Sequence, residues 1–215
     1  SFVTPWGNGK GERIFSSLRL PAICSLLPAL LAGVAGFTHP LVLILLYLSS
    51  VAFFVMAFEW GRVGRHLGYI RILRENPRRY GGFIAHAGAL MVIVAVALSA
   101  TYETDQEVTL NKGESERVSD WRLTFDGMRT NETPQRYEIK GVLLAERKGS
   151  METLIPQMNY YPNSREPIGT PAIHSTLTGD LYVTLISFEE DGEKASFRVL
   201  TMPAVVWIWI GGGIV

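Results

Sequence analysis

Cysteine is nearly absent from this chain of 215 residues: Cys24 stands alone. No disulfide can close within it, and no Cys-x-x-Cys pair is there to exchange thiols. No phosphate loop, internal repeat or metal-ligand cluster appears, and nothing resembles a cleavable signal peptide. Thiol, phosphate-cradle and metal-cluster chemistry are left without residues to carry them. Charge is also missing from three long stretches, and these hold the first positive information.

Leu20 to Phe37, Leu41 to Phe58 and Gly81 to Ala100 are uncharged and strongly apolar. About 20 apolar residues cross a bilayer as helix, so each run is long enough to span. The first two, separated by Thr38-His39-Pro40, are expected as a helical hairpin (residues 20–58). Pro28 should kink the first of them, which neighbouring helices can tolerate. A shorter apolar run, 203–215, is expected to begin a last span, with Trp207 and Trp209 where an interfacial aromatic belt belongs. The chain is expected to be an incomplete section of a larger membrane protein.

A formal net charge of zero conceals a split. Residues 1–80 hold nine Lys/Arg against three Asp/Glu, whereas 101–202 hold eleven against seventeen. Such asymmetry is expected of segments on opposite sides of a membrane. Arg62, Arg65, Arg71, Arg74, Arg78 and Arg79 crowd into 59–80, read as an Arg-rich cytoplasmic loop touching anionic lipid heads. A nucleic-acid role has neither aromatic nor fold signature behind it. With 59–80 inside, the segment 1–19 is also cytoplasmic, and the span 81–100 leads outward to 101–202.

That last region changes period. Trp121, Leu123 and Phe125 alternate with Arg122, Thr124 and Asp126, one apolar face at period 2. Tyr137, Ile139, Gly141 and Leu143 repeat it, and Leu181–Phe188 adds another strand. Arg147-Lys148-Gly149-Ser150 and Asp191-Gly192 read as hairpin turns. About six strands and a core of Trp121, Leu123, Phe125, Leu181, Val183 and Leu185 are expected. The whole is a multi-span α-helical membrane protein with an inserted small all-β extracytoplasmic domain, barrel or sandwich.

Four histidines carry the remaining chemistry. His39 in the outer turn and His66 in the Arg-rich segment suit solvent or headgroup contact. His174 is read as a surface or hydrogen-bonded loop residue, with haem or partner binding as the alternative. His86 differs, because it lies inside an apolar span. Burying an imidazole without a partner costs several kcal/mol, so it should be paired, ligating or proton-carrying. A helix-packing hydrogen bond, haem ligation and proton or quinone chemistry all remain open on local grounds. Phe83 and Gly82 share its face. Met91, five residues on, does not, and suits packing better than ligation.

Arg78-Arg79-Tyr80-Gly81-Gly82-Phe83-Ile84-Ala85-His86-Ala87-Gly88, Tyr161-Pro162-Asn163-Ser164-Arg165, Thr170-Pro171-Ala172-Ile173, Asp180-Leu181-Tyr182-Val183 and Pro203-Ala204-Val205-Val206-Trp207-Ile208-Trp209 together point to a family. In these stretches, their order and their spacing, the chain resembles the C-terminal part of the CcmF family, the membrane haem lyases of cytochrome c maturation. The resemblance implies that His86 is an axial ligand to the iron of a haem b, and that haem is also the substrate. It implies covalent attachment of haem to apocytochrome c, two thiols of a Cys-x-x-Cys-His motif adding across the haem vinyl groups. The implied partners are apocytochrome c, a CcmE-type haem chaperone, CcmH-type and CcmG-type thiol proteins, and quinol as electron donor. The implied place is the bacterial inner membrane, the β-domain facing the periplasm. The family's tryptophan-rich haem-presenting loop and second b-haem ligand have no match in these residues. Two alternatives stand beside this: a non-catalytic docking module for apocytochrome or maturation partners, and the lyase paralogue dedicated to a nitrite reductase.

Overall fold

The computed structural model describes residues 11–215. Residues 1–10 of the expected cytoplasmic segment 1–19 lie outside the described residues. The chain divides into a helical unit, which reaches Thr101 and resumes at Trp207, and a β unit over Tyr102–Val206.

In the helical unit, α1 (Gly11–Cys24) and α2 (Leu26–Val34) are separated by a break at Ser25. Pro28 has no N–H for the carbonyl of Cys24, four residues back, and its ring crowds that carbonyl. The helix interrupts there, and Pro21 O accepts both the Ser25 N–H (3.0 Å) and the Ser25 hydroxyl (2.7 Å). Next come α3 (Pro40–Leu67), α4 (Tyr69–Glu75), α5 (Pro77–Tyr102) and, after the β unit, α6 (Val205–Ile214). Ser17–Val34, Pro40–His66 and Pro77–Tyr102 are each long and apolar enough to cross a membrane. Leu27, Leu30, Leu41 and Ile44 stay exposed on them, as lipid allows, because lipid tails are as apolar as leucine. The chain is a membrane protein carrying an inserted all-β domain.

The segment 59–80 is not the loop its charge suggested. α3 runs on to Leu67, α4 follows, and α5 starts at Pro77. Arginine is a good helix former, so a dense run of it marks a solvated helix face as readily as a loop. Only Gly68, at φ 86°, and Asn76 before Pro77 interrupt. Arg71 and Glu75, one turn apart, pair at 2.6 Å along α4.

The β unit is a sandwich rather than a barrel, with ten strands instead of about six. One sheet has the order β1 (Thr104–Asn111), β10 (Lys194–Pro203), β9 (Gly179–Phe188) and β8 (Ala172–Ser175). The other runs β2 (Ser115–Val118), β3 (Trp121–Glu132), β4 (Tyr137–Arg147), β6 (Gln157–Tyr160) and β7 (Ile168–Thr170), with β5 (Ser150–Leu154) also on β4. β5 and β6 divide one edge of β4 between them, because Pro156 cannot donate to a ladder. β2, β6, β7 and β8 are short pieces of three or four residues, too brief to show a period. Lys148 at φ 50° and Gly149 at φ 81° make the two-residue turn between β4 and β5, as a type I′ hairpin requires.

The core lies between the sheets. Trp121, Leu123, Phe125, Leu181, Val183 and Leu185 are all buried, as their alternation predicts. Phe125 and Phe197 meet edge to face, centroids 5.4 Å apart. Gly141 beside them has no room for a side chain: a Cβ would lie 2.8 Å from Phe197.

Glu138 breaks the alternation, being buried next to Ile139. It is held by Lys140 (2.7 Å), Arg136 (2.5 Å) and the Asn131 amide (3.1 Å). These hydrogen bonds, Lys140's first, lower its carboxyl to about 2 from an ordinary 4.5. A carboxylate depressed by folding stabilises the native state above its unfolded pKa and stops doing so as pH falls through its folded one. The β unit should therefore lose stability between about pH 4.5 and 2, and Glu138→Gln should flatten that part of the profile. Melting temperatures across this range check it.

Candidate functional site

α5 opens with Pro77 at a position where a missing N–H costs nothing, then runs Arg78-Arg79-Tyr80-Gly81-Gly82-Phe83 before reaching His86. Its buried residues are Tyr80, Phe83, Gly88, Ala95 and Ser99. Tyr80 and Phe83 pack edge to face at 5.4 Å and join Met56 of α3 and Ile72 of α4 in one cluster. Further along, Gly88 abuts α6. A Cβ at Gly88 would lie 2.7 Å from Gly211 O, and one at Gly211 2.8 Å from Gly88 O. Two backbones approach this closely only where both residues lack side chains. α5 is thus held by aromatic packing on one side and by a glycine contact on another.

His86 lies on the side those contacts leave open. Its ring is exposed, and Nδ1 lies 2.6 Å from Gly82 O. A carbonyl only accepts, so Nδ1 carries a proton and Nε2 is the nitrogen that could ligate a metal. Fixing one ring nitrogen by a backbone carbonyl sets the tautomer and orientation of a metal-ligating imidazole. Gly82 adds no bulk: nothing within 4 Å would meet a Cβ there. These residues could hold the iron of a haem through one ring nitrogen. Nδ1 is anchored on an apolar helix, Nε2 is the nitrogen left for a metal, and Gly82 leaves open space beside the ring. Among the described residues no group of three His, Cys, Asp or Glu could hold a metal ion instead.

At the α3–α5 end of the unit, Glu59 takes two cations, Arg62 at 2.6 Å and Arg79 at 2.9 Å. The Arg79 guanidinium also lies over the Tyr80 ring, 5.8 Å from its centroid. Trp60 Nε1, buried in the same cluster, has no hydrogen-bond partner.

The other candidates fall elsewhere. Met91 is 140° round α5 from His86, at 100° per residue, and partly buried, so it packs. His39 caps α3, exposed beside an apolar groove of about 390 Å³ that Leu45, Ala97 and Thr101 help to line. His66 is exposed in the last turn of α3. His174 sits on strand β8, not in a loop, and meets Trp121 edge to face at 5.4 Å. Arg147 lies over the same indole at 5.4 Å and donates to Thr178 and Asp120. Trp121 is thereby pinned by both sheets, and His174 reads as a packing residue. Sequence reasoning missed this triad, whose members meet across strands and sheets, and the Glu138 cluster, where Arg136 and Lys140 are sequence neighbours but the burial of Glu138 and the Asn131 contact depend on strand pairing.

The β unit matches the family model described as the CcmF C-terminal beta-sandwich, over residues 101–203. The cytochrome c-type biogenesis protein CcmF of Pseudomonas aeruginosa is 31% identical over 150 residues, 69% of this chain and 23% of the relative. That of Haemophilus influenzae is 26% identical over 207 residues, 92% of this chain and 32% of the relative. A probable cytochrome c-type biogenesis protein NrfE of Escherichia coli is 23% identical over 131 residues, 60% of this chain and 23% of the relative. In fold, the chain is similar to a solved cytochrome c heme lyase CcmF, with a TM-score of 0.72 at 24% identity, over 99% of this chain and 35% of that one. The chain spans about a quarter to a third of the length of these relatives.

Proposed function

Since this chain belongs to the CcmF family and matches its C-terminal portion, we propose that it is a section of an integral-membrane haem lyase. The substrates are haem and apocytochrome c, and this section supplies one axial ligand of a resident b-type haem. The single observation that carries the reading is His86: exposed on an apolar span, with Nδ1 donating to Gly82 O at 2.6 Å. The membrane spans and the relatives' names support the wider role.

A b-type haem held by His86 would supply one-electron chemistry, suited to keeping the iron of a substrate haem reduced. The residues of this chain do the rest. His86 offers Nε2 to the metal, Gly82 fixes the ring and leaves space beside it, and the Gly88–Gly211 contact holds α5 in place. Lone Cys24 fits a reaction whose thiols belong to apocytochrome c. A CcmE-type chaperone as haem donor, CcmH-type and CcmG-type thiol proteins, and quinol as reductant complete the proposed partners.

Orientation follows from charge. The helical turns of 59–80 lie at the cytoplasmic face of the bacterial inner membrane and the β unit in the periplasm. His66→Cys, at an exposed position in the last turn of α3, should react with an impermeant thiol reagent only after the cells are opened. Labelling on intact spheroplasts would reverse the topology.

A reduced-minus-oxidised absorbance spectrum tests the function itself. A b-type signal with two imidazole ligands is expected in the purified full-length lyase, where a segment outside this chain supplies the second one. Its absence would leave a docking module for apocytochrome.

A further inference from the structure

Arg79 stands on the same open side of α5 as His86. Positions 79, 86, 93 and 100 recur every seven residues, which keeps them within about 20° of one line per step. Arg79, His86, Ile93 and Ala100 are all exposed, whereas Tyr80, Gly88, Ala95 and Ser99 are buried. Between the arginine and the histidine lies Gly82, with open space where a side chain would stand. Seven residues make about 10.5 Å of helix. One seam therefore carries an iron-ligating nitrogen and, two turns away toward the helix start, a guanidinium.

The guanidinium is prepared rather than loose. Glu59 Oε1 accepts from its Nη2 at 2.9 Å, and the Tyr80 ring lies beneath it. Glu59 Oε2 is taken by Arg62. One carboxylate between two guanidiniums leaves a positive charge at this end, and Arg79 has five N–H donors of which Glu59 uses one. A haem carries two propionate carboxylates on one edge of an otherwise apolar ring. Near lipid such carboxylates need a cation.

We infer that Arg79 receives a propionate of the haem whose iron His86 ligates, so that this edge of the macrocycle faces the start of α5. The inference rests on the His86 reading. Arg79 acts as a positioning residue: it orients the ring and compensates a carboxylate, and Glu59 holds it in place.

The test compares protohaem IX with its dimethyl ester, whose propionates carry no charge. Each is titrated into apo-protein purified from haem-depleted cells, and binding is followed in the Soret band. Arg79→Gln should weaken protohaem binding about ten- to a hundredfold, the weight of a charge-assisted hydrogen bond. It should also lower the midpoint potential, because an uncompensated carboxylate favours the oxidised iron. The ester should bind wild type and Arg79→Gln alike, and Arg79→Lys should recover part of the protohaem affinity. Arg65→Gln removes the same charge from an exposed site on α3 and should change neither quantity. Arg79→Gln with wild-type affinity and potential for protohaem would overturn the inference. So would an equal penalty for acid and ester, since misfolding penalises both. A His86→Ala protein that keeps its haem defeats the ligation itself; intact ligation with an indifferent Arg79 defeats only the propionate contact.

Discussion

His86→Ala is expected to strip the protein of its b-type haem while leaving it inserted in the membrane. The exposed ring packs into no buried cluster, so its removal opens no cavity. On the proposed ligation, what is lost is the metal bond, and haem content per polypeptide should fall to a small fraction of wild type. His86→Gly with added imidazole should restore part of the signal, because a small base can fill the vacated position. His86→Met should keep some haem at a higher potential, as Met/His ligation does relative to two imidazoles. Gly82→Leu tests the same face without touching a ligand. No atom within 4 Å opposes a Cβ there, and leucine for glycine favours the helix by up to about 1 kcal/mol. A stable Gly82→Leu protein depleted of haem would show that the macrocycle uses this space. Full haem with an unchanged low-spin spectrum in His86→Ala would make the histidine a helix-packing hydrogen bonder.

The second large effect is on stability. Phe125→Ala should destabilise the β unit by about 3–5 kcal/mol, the usual cost of truncating a buried aromatic. Phe125 is fully buried and meets Phe197 of the opposite sheet edge to face at 5.4 Å. Its neighbourhood is ill placed to collapse into the gap. A bulge shifts the β3–β4 register between Phe125 and Gly127, and Gly127 sits at φ 130°. Marginal stability makes such a loss a large share of what a domain this size has. Phe125→Ala protein should accumulate less, with a melting temperature well below wild type, and the haem spectrum of what survives should be unchanged. A wild-type melting temperature would show that the two sheets do not depend on this contact.

Local chemistry leaves the role of His86 open, and haem ligation is the proposal that the resemblance favours. Hydrogen bonding, haem ligation and proton transfer all suit an imidazole in an apolar run. The structure adds the hydrogen bond to Gly82 and the open side; the family adds haem. Elsewhere the two levels diverged where sequence signals have two meanings. Six arginines crowded between apolar runs suit a loop or helices alike, and here helices carry them. His174 looked like a loop residue because Pro171 and Ser175 flank it, yet it pairs on β8 opposite Leu181.

By itself, the sequence determined the three spans, the place where helix gives way to strand, the hairpin at Lys148-Gly149 and the alternating core. These are local quantities: apolar length, period and turn chemistry act over a few residues, wherever the rest of the chain goes. Only the tertiary structure decided which side of α5 is open, since that depends on Gly211 reaching Gly88 and on Met56 and Ile72 covering Tyr80 and Phe83. It likewise decided that Glu138 is buried among Lys140, Arg136 and Asn131, and that Trp121 sits between His174 and Arg147. The α5 and Trp121 contacts join separate helices or strands, and the Glu138 cluster needs Asn131 from the paired strand β3. No period in one segment can state which neighbour packing will bring.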